Sequence, residues 1–214
     1  MIVNDLSHGD TVALQLHLGG DRNFSYIFGD RISGEAAVVD PGYGPEELAA
    51  AVSGAGLSLA HILVTHGHAD HVGGLDRLAA LTGAAVAPDS CRLGGRDLVA
   101  IETPGHAPDH LCWLFGGFLA TGDLLFCGKV GGTGPFFPGS SSAAEWDSLH
   151  RILELPGETV VLPGHDYYGG EGERPHSTLA HERAHNPFLL CPDLAAFEDL
   201  KENWAAYKEQ HGIR

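Results

Sequence analysis

A strand that delivers three imidazoles and a carboxylate to its own C-terminal end leaves a chain few ways to fold. Thr65-His66-Gly67-His68-Ala69-Asp70-His71 follows directly on the apolar run His61-Ile62-Leu63-Val64. That run is short, β-branched and bounded, which is the pattern of a buried strand. Residues i and i+2 on extended chain share a face, so His66 and His68 point at one ion. Asp70 and His71 fall where the chain turns into the next helix and face a second point nearby. Imidazole and carboxylate together suit zinc, iron or manganese, and roughly three or four ligands complete a site. The cluster therefore opens two half-sites and closes neither, and the fold must bring further ligands from elsewhere.

The rest of the pattern predicts where they come from. Thr11 to Leu18, Asn23 to Phe28 and Ala36 to Val39 read as strands separated by Gly, Asp and Asn turns. Asp40-Pro41-Gly42 ends the third, and Asp40 is there either as a turn residue or as a partner behind a ligand histidine. Pro45-Glu46-Glu47 opens a helix ending near Gly54 or Gly56. Val72 to Thr82 has helical spacing and stops at Gly83; Ala84 to Ala87 and Leu98 to Ile101 read as short strands. Leu111 to Phe115 and Phe118 to Thr121 form a hairpin about Gly116-Gly117. Ser142 to Leu155 is helical, Thr159 to Leu162 a strand, and Ser177 to His185 and Asp193 to Gln210 two terminal helices. Strands dominate early and alternate with helices later, which predicts helices on the outer faces of two sheets. Gly128 to Ser142 and Gly169 to Pro175 are long loops of the kind that bind or cover substrates, and Phe136-Phe137 in the first are candidate substrate contacts.

Three residues are presented where apolar strands end in Gly/Pro-rich turns: His106 in Thr103-Pro104-Gly105-His106, Asp123 in Thr121-Gly122-Asp123, and His165 in Pro163-Gly164-His165. Glycine beside a ligand lets backbone approach closely. The other histidines carry less weight. His8, His17, His61, His150 and His211 read as background, and His110, His176, His181 and His185 as surface groups or groups behind the ligands.

Composition narrows the partners. With 28 acidic and 12 basic residues the net charge is −16, which argues against nucleic acid and anionic membranes, since phosphate binding needs a basic footprint. The 214 residues with 43% hydrophobic content can bury one sizeable core. Four scattered cysteines with no Cys-x-x-Cys pair read as reduced thiols, Cys112 and Cys127 as buried and inert ones. With no signal-peptide pattern and no bilayer-length apolar run, the expected location is cytoplasmic. Residues 1–175 are expected to form the metal-binding domain, with 176–214 as helices packing on it.

Taken in order, His-x-His-x-Asp-His, Pro-Gly-His, Thr-Gly-Asp and Pro-Gly-His resemble the metallo-β-lactamase superfamily. Within it the chain is most similar to the glyoxalase II (hydroxyacylglutathione hydrolase) branch. The resemblance implies an α/β fold, the αββα four-layer sandwich, with metals in a cleft at the sheet edges. It implies that His66, His68 and His106 bind one divalent ion, that Asp70, His71 and His165 bind a second, and that Asp123 bridges both. Zinc is the expected metal, with iron or manganese compatible. Two ions about 3.5–4 Å apart share a hydroxide and polarise a carbonyl, which suits hydrolysis of a small-molecule thioester or ester. In that chemistry Asp70 orients the hydroxide or takes its proton.

The variations within the superfamily narrow the reading. Positions 70 and 123 carry no cysteine, position 68 is not glutamate, and the acidic charge disfavours a nuclease. Tyr167 matches a tyrosine that glyoxalase II uses near substrate. Lys129 falls earlier than the basic residue expected after the bridging aspartate, and the chain ends at Arg214, before the full helical region that holds glutathione. It is therefore nearer to short glyoxalase II-like proteins. The alternative is a persulfide dioxygenase, which resembles glyoxalase II and holds one iron through the equivalents of His66, His106 and Asp123. A metal that only staples the fold is disfavoured, because structural zinc sites are closed by protein ligands rather than paired and open.

Overall fold

Alternation along the strands decides the layers. The computed structural model describes residues 2–20, 22–166 and 175–213. Its first sheet runs in chain order through β1 (Ile2–Asp5), β2 (Thr11–Gly19), β3 (Asn23–Asp30), β4 (Glu35–Val39), β5 (Ser58–Leu63) and β6 (Ala85–Val86). The pairs from β1 to β4 are antiparallel, whereas β4, β5 and β6 are parallel. The parallel crossovers carry α1 (Pro45–Gly54), then α2 (Ala69–Val72) and α3 (Leu75–Thr82).

The chain continues through β7 (Cys91–Leu93), β8 (Arg96–Glu102), β9 (Leu111–Phe115), β10 (Phe118–Gly122) and a small ribbon of β11 (Leu125–Phe126) and β12 (Lys129–Val130). After α4 (Ser142–Ile152) come β13 (Val160–Pro163), β14 (Ser177–Thr178), α5 (Leu179–His185), α6 (Leu194–Glu202) and α7 (Trp204–His211). The second sheet has the order β14-β13-β10-β9-β8-β7.

Neighbouring residues of one strand enter different cores, as the period of two requires. From β3, Phe24, Tyr26 and Phe28 face the second sheet and meet Trp113, Phe115, Phe118 and Leu162. Ile27, Val38 and Ile62 face the other way, onto Leu48 and Val52 of α1 and Leu78 of α3. On the far side of the second sheet, Cys112, Leu119 and Val161 pack on Leu149, Ile152, Leu179, Phe188 and Phe197. The result is the expected αββα sandwich, with each sheet apolar on both faces. Among the described residues no helix is long and apolar enough to cross a membrane.

Local departures from the sequence pattern have local causes. The expected helix from Val72 to Thr82 is broken at Gly73-Gly74 into α2 and α3. Side chains there would meet the Ala69 and Pro41 carbonyls, so the helix gives way to let the chain lie against the Pro41–Gly42 turn. The expected helix from Asp193 to Gln210 divides at Asn203, whose side chain bonds back to Asp199. Ser177 and Thr178 pair with β13 as a strand before the fifth helix begins, with Thr178 as its cap. The long loop from Gly128 begins as strand β12. Most of the other loop, 169–175, and Tyr167 lie outside the described residues.

The terminal helices share the core of the second sheet. Phe197 is fully buried there against Trp146, Phe188 and Leu200. Phe197→Ala is expected to cost about 3–5 kcal/mol of unfolding free energy by urea denaturation, and a loss below 1 kcal/mol would show that α6 docks without carrying the core.

Candidate metal centre

All the candidate ligands leave the C-terminal ends of strands that run the same way within their sheets. His66 to His71 follow β5, parallel to β4, and Asp40 follows β4 directly. Asp123 follows β10 and His165 follows β13, which are parallel to each other, while His106 follows β8. Such ends are where open α/β sheets place their ligands. Backbone bonds sew the two sheets together at this edge: Leu111 N–H donates to the Thr65 carbonyl at 2.7 Å and Phe24 N–H to the Gly164 carbonyl at 2.9 Å.

The first group is His66, His68 and His106. His66 Nε2 lies 2.9 Å and His106 Nε2 3.1 Å from His68 Nδ1. Their tautomers follow from what stands behind them. His106 Nδ1 faces the Gly132 carbonyl at 2.8 Å, and a carbonyl only accepts, so Nδ1 carries the proton. Thr65 Oγ1 donates its one proton to Asp40 Oδ2 at 2.7 Å, so at 3.0 Å from His66 Nδ1 it accepts. His66 and His106 thus both present bare Nε2 lone pairs to the same point, and one proton on His68 cannot satisfy both. Burial also lowers the pKa of both His66 and His106, keeping them neutral. A cation resolves this arrangement.

The second group is Asp70, His71 and His165, whose ligand atoms lie within 4.8 Å of one another, as do those of the first. His165 Nε2 is 3.3 Å from Asp70 Oδ2, and Asn23 Nδ2 donates to that same oxygen at 3.0 Å. The His165 hydrogen bond, against the opposing effect of burial, holds the Asp70 carboxyl well below the usual carboxylate range. His71 Nδ1 is 2.9 Å from Asp40 Oδ2, which turns its Nε2 into the site. Burial disfavours charge on His71, yet the Asp40 and Asp123 carboxylates outweigh it and raise its pKa well above ordinary.

Asp123 lies between the groups. Its Oδ1 is 3.4 Å from both His71 Nε2 and His165 Nε2, and its Oδ2 is 3.5 Å from His106 Nε2. Burial opposes its ionisation, but His71 and His165 override that and hold the carboxyl far below its ordinary value. His71 Nε2 and Asp123 Oδ1 are both buried with no hydrogen-bond partner. Buried polar groups are almost always satisfied, so these two orphaned atoms and the converging lone pairs fit a pair of bound cations.

Glycine makes the approach possible at Gly164, where a Cβ would run into Asp123 Oδ1 and the His71 ring. Two supporting residues, Asn23 and Thr65, escape a reading of the sequence, and for a third, His110, the structure selects the place behind the ligands over the surface. Asn23 holds both the side chain and the carbonyl of Asp70. Thr65 relays Asp40 to His66. His110 is buried rather than at the surface: its Nε2 accepts from the Asp123 N–H at 3.2 Å while Nδ1 donates to Thr103 Oγ1 at 2.8 Å. Burial pushes its pKa down to about 3. In sequence, its one signal is that it directly precedes the apolar run Leu111 to Phe115.

A cavity of about 600 Å³ opens beside His106 and Asp123, with Phe126, Lys129, Phe137, Phe188, Lys201 and Trp204 among its walls. The Phe137 ring lies tilted against that of His106, with centroids 4.9 Å apart. Phe136 does not enter the site; it is 90% exposed and turned to solvent.

The profile of the Metallo-beta-lactamase superfamily matches residues 18–90 and 87–165. A hydroxyacylglutathione hydrolase of Rhodospirillum rubrum is 37% identical over 166 residues, 68% of this chain and 62% of that protein. The chain thus spans less than two thirds of that relative. One from Fuscovulum blasticum is 34% identical over 79% of this chain and 84% of its own length. Among solved structures, that of ETHE1 from Myxococcus xanthus superposes with a TM-score of 0.76 and 27% identity over the whole of both chains.

Asp40 stands behind both groups without being one of the candidate ligands. Asp40→Ala, which removes the acceptor behind His71 and Thr65, is expected to weaken zinc affinity about 10–100-fold by chelator competition. The circular dichroism spectrum should be kept, and undiminished affinity would show that the tautomers are set by other groups.

Proposed function

The chain belongs to the metallo-beta-lactamase superfamily, in its hydroxyacylglutathione hydrolase branch, and on that premise we propose that it is a metal-dependent hydrolase of a small-molecule thioester. Members of the family bind a dinuclear metal site. The observation that carries the reading is Asp123, whose two oxygens face different histidine groups. His66, His68 and His106 would hold one ion, Asp70, His71 and His165 the other, and Asp123 both. Bound there, two divalent ions would supply a water acidified to a pKa of about 7 and Lewis-acid polarisation of the carbonyl. Zinc suits this donor set, and iron and manganese share the preference.

The chain's own groups do the rest. Asp70 is the more open of the two carboxylates, its side chain 37% exposed against 11% for Asp123. Held by Asn23 and His165, with its pKa depressed, it orients the attacking water rather than storing a proton. Phe137 and Phe126 line the cavity beside His106 and Asp123, and the cavity has the size of ordinary small-molecule sites, about 300–1,000 Å³. Tyr167 remains a candidate substrate contact by resemblance. A cytoplasmic location fits four cysteines of which none is bridged in a disulfide, with burial pushing Cys112 up to about 12.

The likeness to ETHE1 favours a second reading, the persulfide dioxygenase with one iron on His66, His106 and Asp123. Elemental analysis and turnover separate them. The hydrolase should carry two metals per chain and cleave S-lactoylglutathione, and Asp123→Ala should lower that rate roughly 1,000-fold or more, since a Lewis acid supplies several kcal/mol. One iron per chain, no thioester turnover, and oxygen consumption with glutathione persulfide would reverse the assignment.

A further inference from the structure

We propose that Lys201, on α6 and 36 residues beyond the last candidate ligand His165, is a positioning residue that holds His106 through the Gly131-Gly132 segment. This rests on the reading of His66, His68 and His106 as a metal half-site.

The Lys201 side chain is 10% exposed and pairs with Glu145, whose side chain is wholly buried. Its Nζ also donates to the Gly131 carbonyl at 2.7 Å. The next carbonyl along the chain, that of Gly132, is the acceptor that fixes the His106 tautomer. Both glycines are required by space. A Cβ at 131 would collide with the Asp123 carbonyl and crowd His106, and a Cβ at 132 would strike the Phe137 ring. Two successive glycines are conformationally loose, so a segment that must present one carbonyl to a ligand needs an anchor, and Lys201 supplies it.

Glu145 closes the arrangement from the other side of His106. Its backbone and Cβ pack where Gly105 lacks a side chain, while Ser141 N–H and Ser148 Oγ of the same helix region hold the Gly105 and Pro104 carbonyls at 2.8 and 2.7 Å. The backbone leading into His106 is thus held by the helix that carries Glu145, and the segment facing its Nδ1 by Lys201. The pair is costly to bury: burial pushes Glu145 up to about 7 despite Lys201, and lowers Lys201 itself. Buried pairs rarely stabilise more than apolar residues of the same size would, which points to placement rather than stability as what this one contributes.

The test uses metal-free full-length protein titrated with zinc against a chelator. Lys201→Met and the double variant Glu145→Gln/Lys201→Met, which leaves no unpaired buried charge, are each made alone and with His106→Ala. The expected result is that one of the two binding steps weakens about 10-fold and the other is unchanged. That loss should vanish when His106 is already alanine. In turnover, kcat should fall with KM unchanged, whereas a substrate contact would raise KM, and Lys201→Arg should restore most of the affinity. Two unaltered steps, two equally weakened steps, or a loss that persists without His106 would each overturn the proposal. Wild-type protein that binds no metal would overturn the metal reading and this one with it; a wild type that binds two ions beside an unaltered Lys201 variant would overturn this one alone.

Discussion

One carboxylate orders this centre from behind. Asp40 accepts the Thr65 N–H on one oxygen, and the Thr65 hydroxyl and His71 Nδ1 on the other, at 2.7, 2.7 and 2.9 Å. Through His71 it sets a member of the second group directly, and through Thr65 it sets His66 of the first. Its own backbone is held at a φ of 51°, in the left-handed region that non-glycine residues avoid. Such conformations cost on the order of 1–3 kcal/mol and persist where surrounding structure determines them. Here that structure is a bond from Asp40 N–H to the Leu63 carbonyl and one from Ser25 Oγ to the Asp40 carbonyl. The strain turns the carboxylate from the end of β4 across to β5.

The sheets serve that geometry by being apolar on both faces. A strand such as β4, whose residues alternate between the inter-sheet core and the α1–α3 layer, has no solvent face on which to slip in register. The ends of β4, β5, β10 and β13 are therefore fixed relative to one another before any ligand is considered. Trp113 Nε1 donates to the Val64 carbonyl at 2.9 Å and the Tyr26 hydroxyl to the Pro163 carbonyl at 2.5 Å. Both bonds cross from one sheet to the other just behind the ligands. A site divided between two sheets holds its distances only if the sheets are joined at that edge.

What could be read in the sequence followed from how locally each feature is encoded. The dense cluster at 66–71 demanded partners, and Pro-Gly-His and Thr-Gly-Asp each supplied one at a strand end, so the converging groups were legible at residue level. The layers were legible too, because continuous apolar strands alternating with helices admit few packings. His110 was legible only as one of four histidines at the surface or behind the ligands: a histidine that supports the backbone of Asp123 through its ring has no signature of its own, and only the fold brings residues 110 and 123 together. The break at Gly73-Gly74 hid for the opposite reason, since glycine is tolerated within helices and only the nearby Pro41 carbonyl makes it a stop. Phe136 and Phe137 look alike in sequence, and the turn at Gly134–Phe137 sends one ring to the site and the other to solvent.

The division of labour along the chain bears on how substrate choice and chemistry separate. Every candidate ligand, with Asp40, Thr65, Asn23 and His110, falls within residues 18–165, the span that the superfamily profile matches. Phe188, Glu198, Lys201, Glu202 and Trp204 fall beyond it and form one wall of the cavity. That wall is joined to the centre at Gly131, where Lys201 meets the ribbon that leads away from Asp123. The donor set can thus be kept while the terminal helices vary, because altering the far ends of their side chains changes what the cavity admits without moving a ligand. The exception is a side chain such as Lys201, which reaches through the wall to the Gly131 carbonyl, next to the one that faces His106.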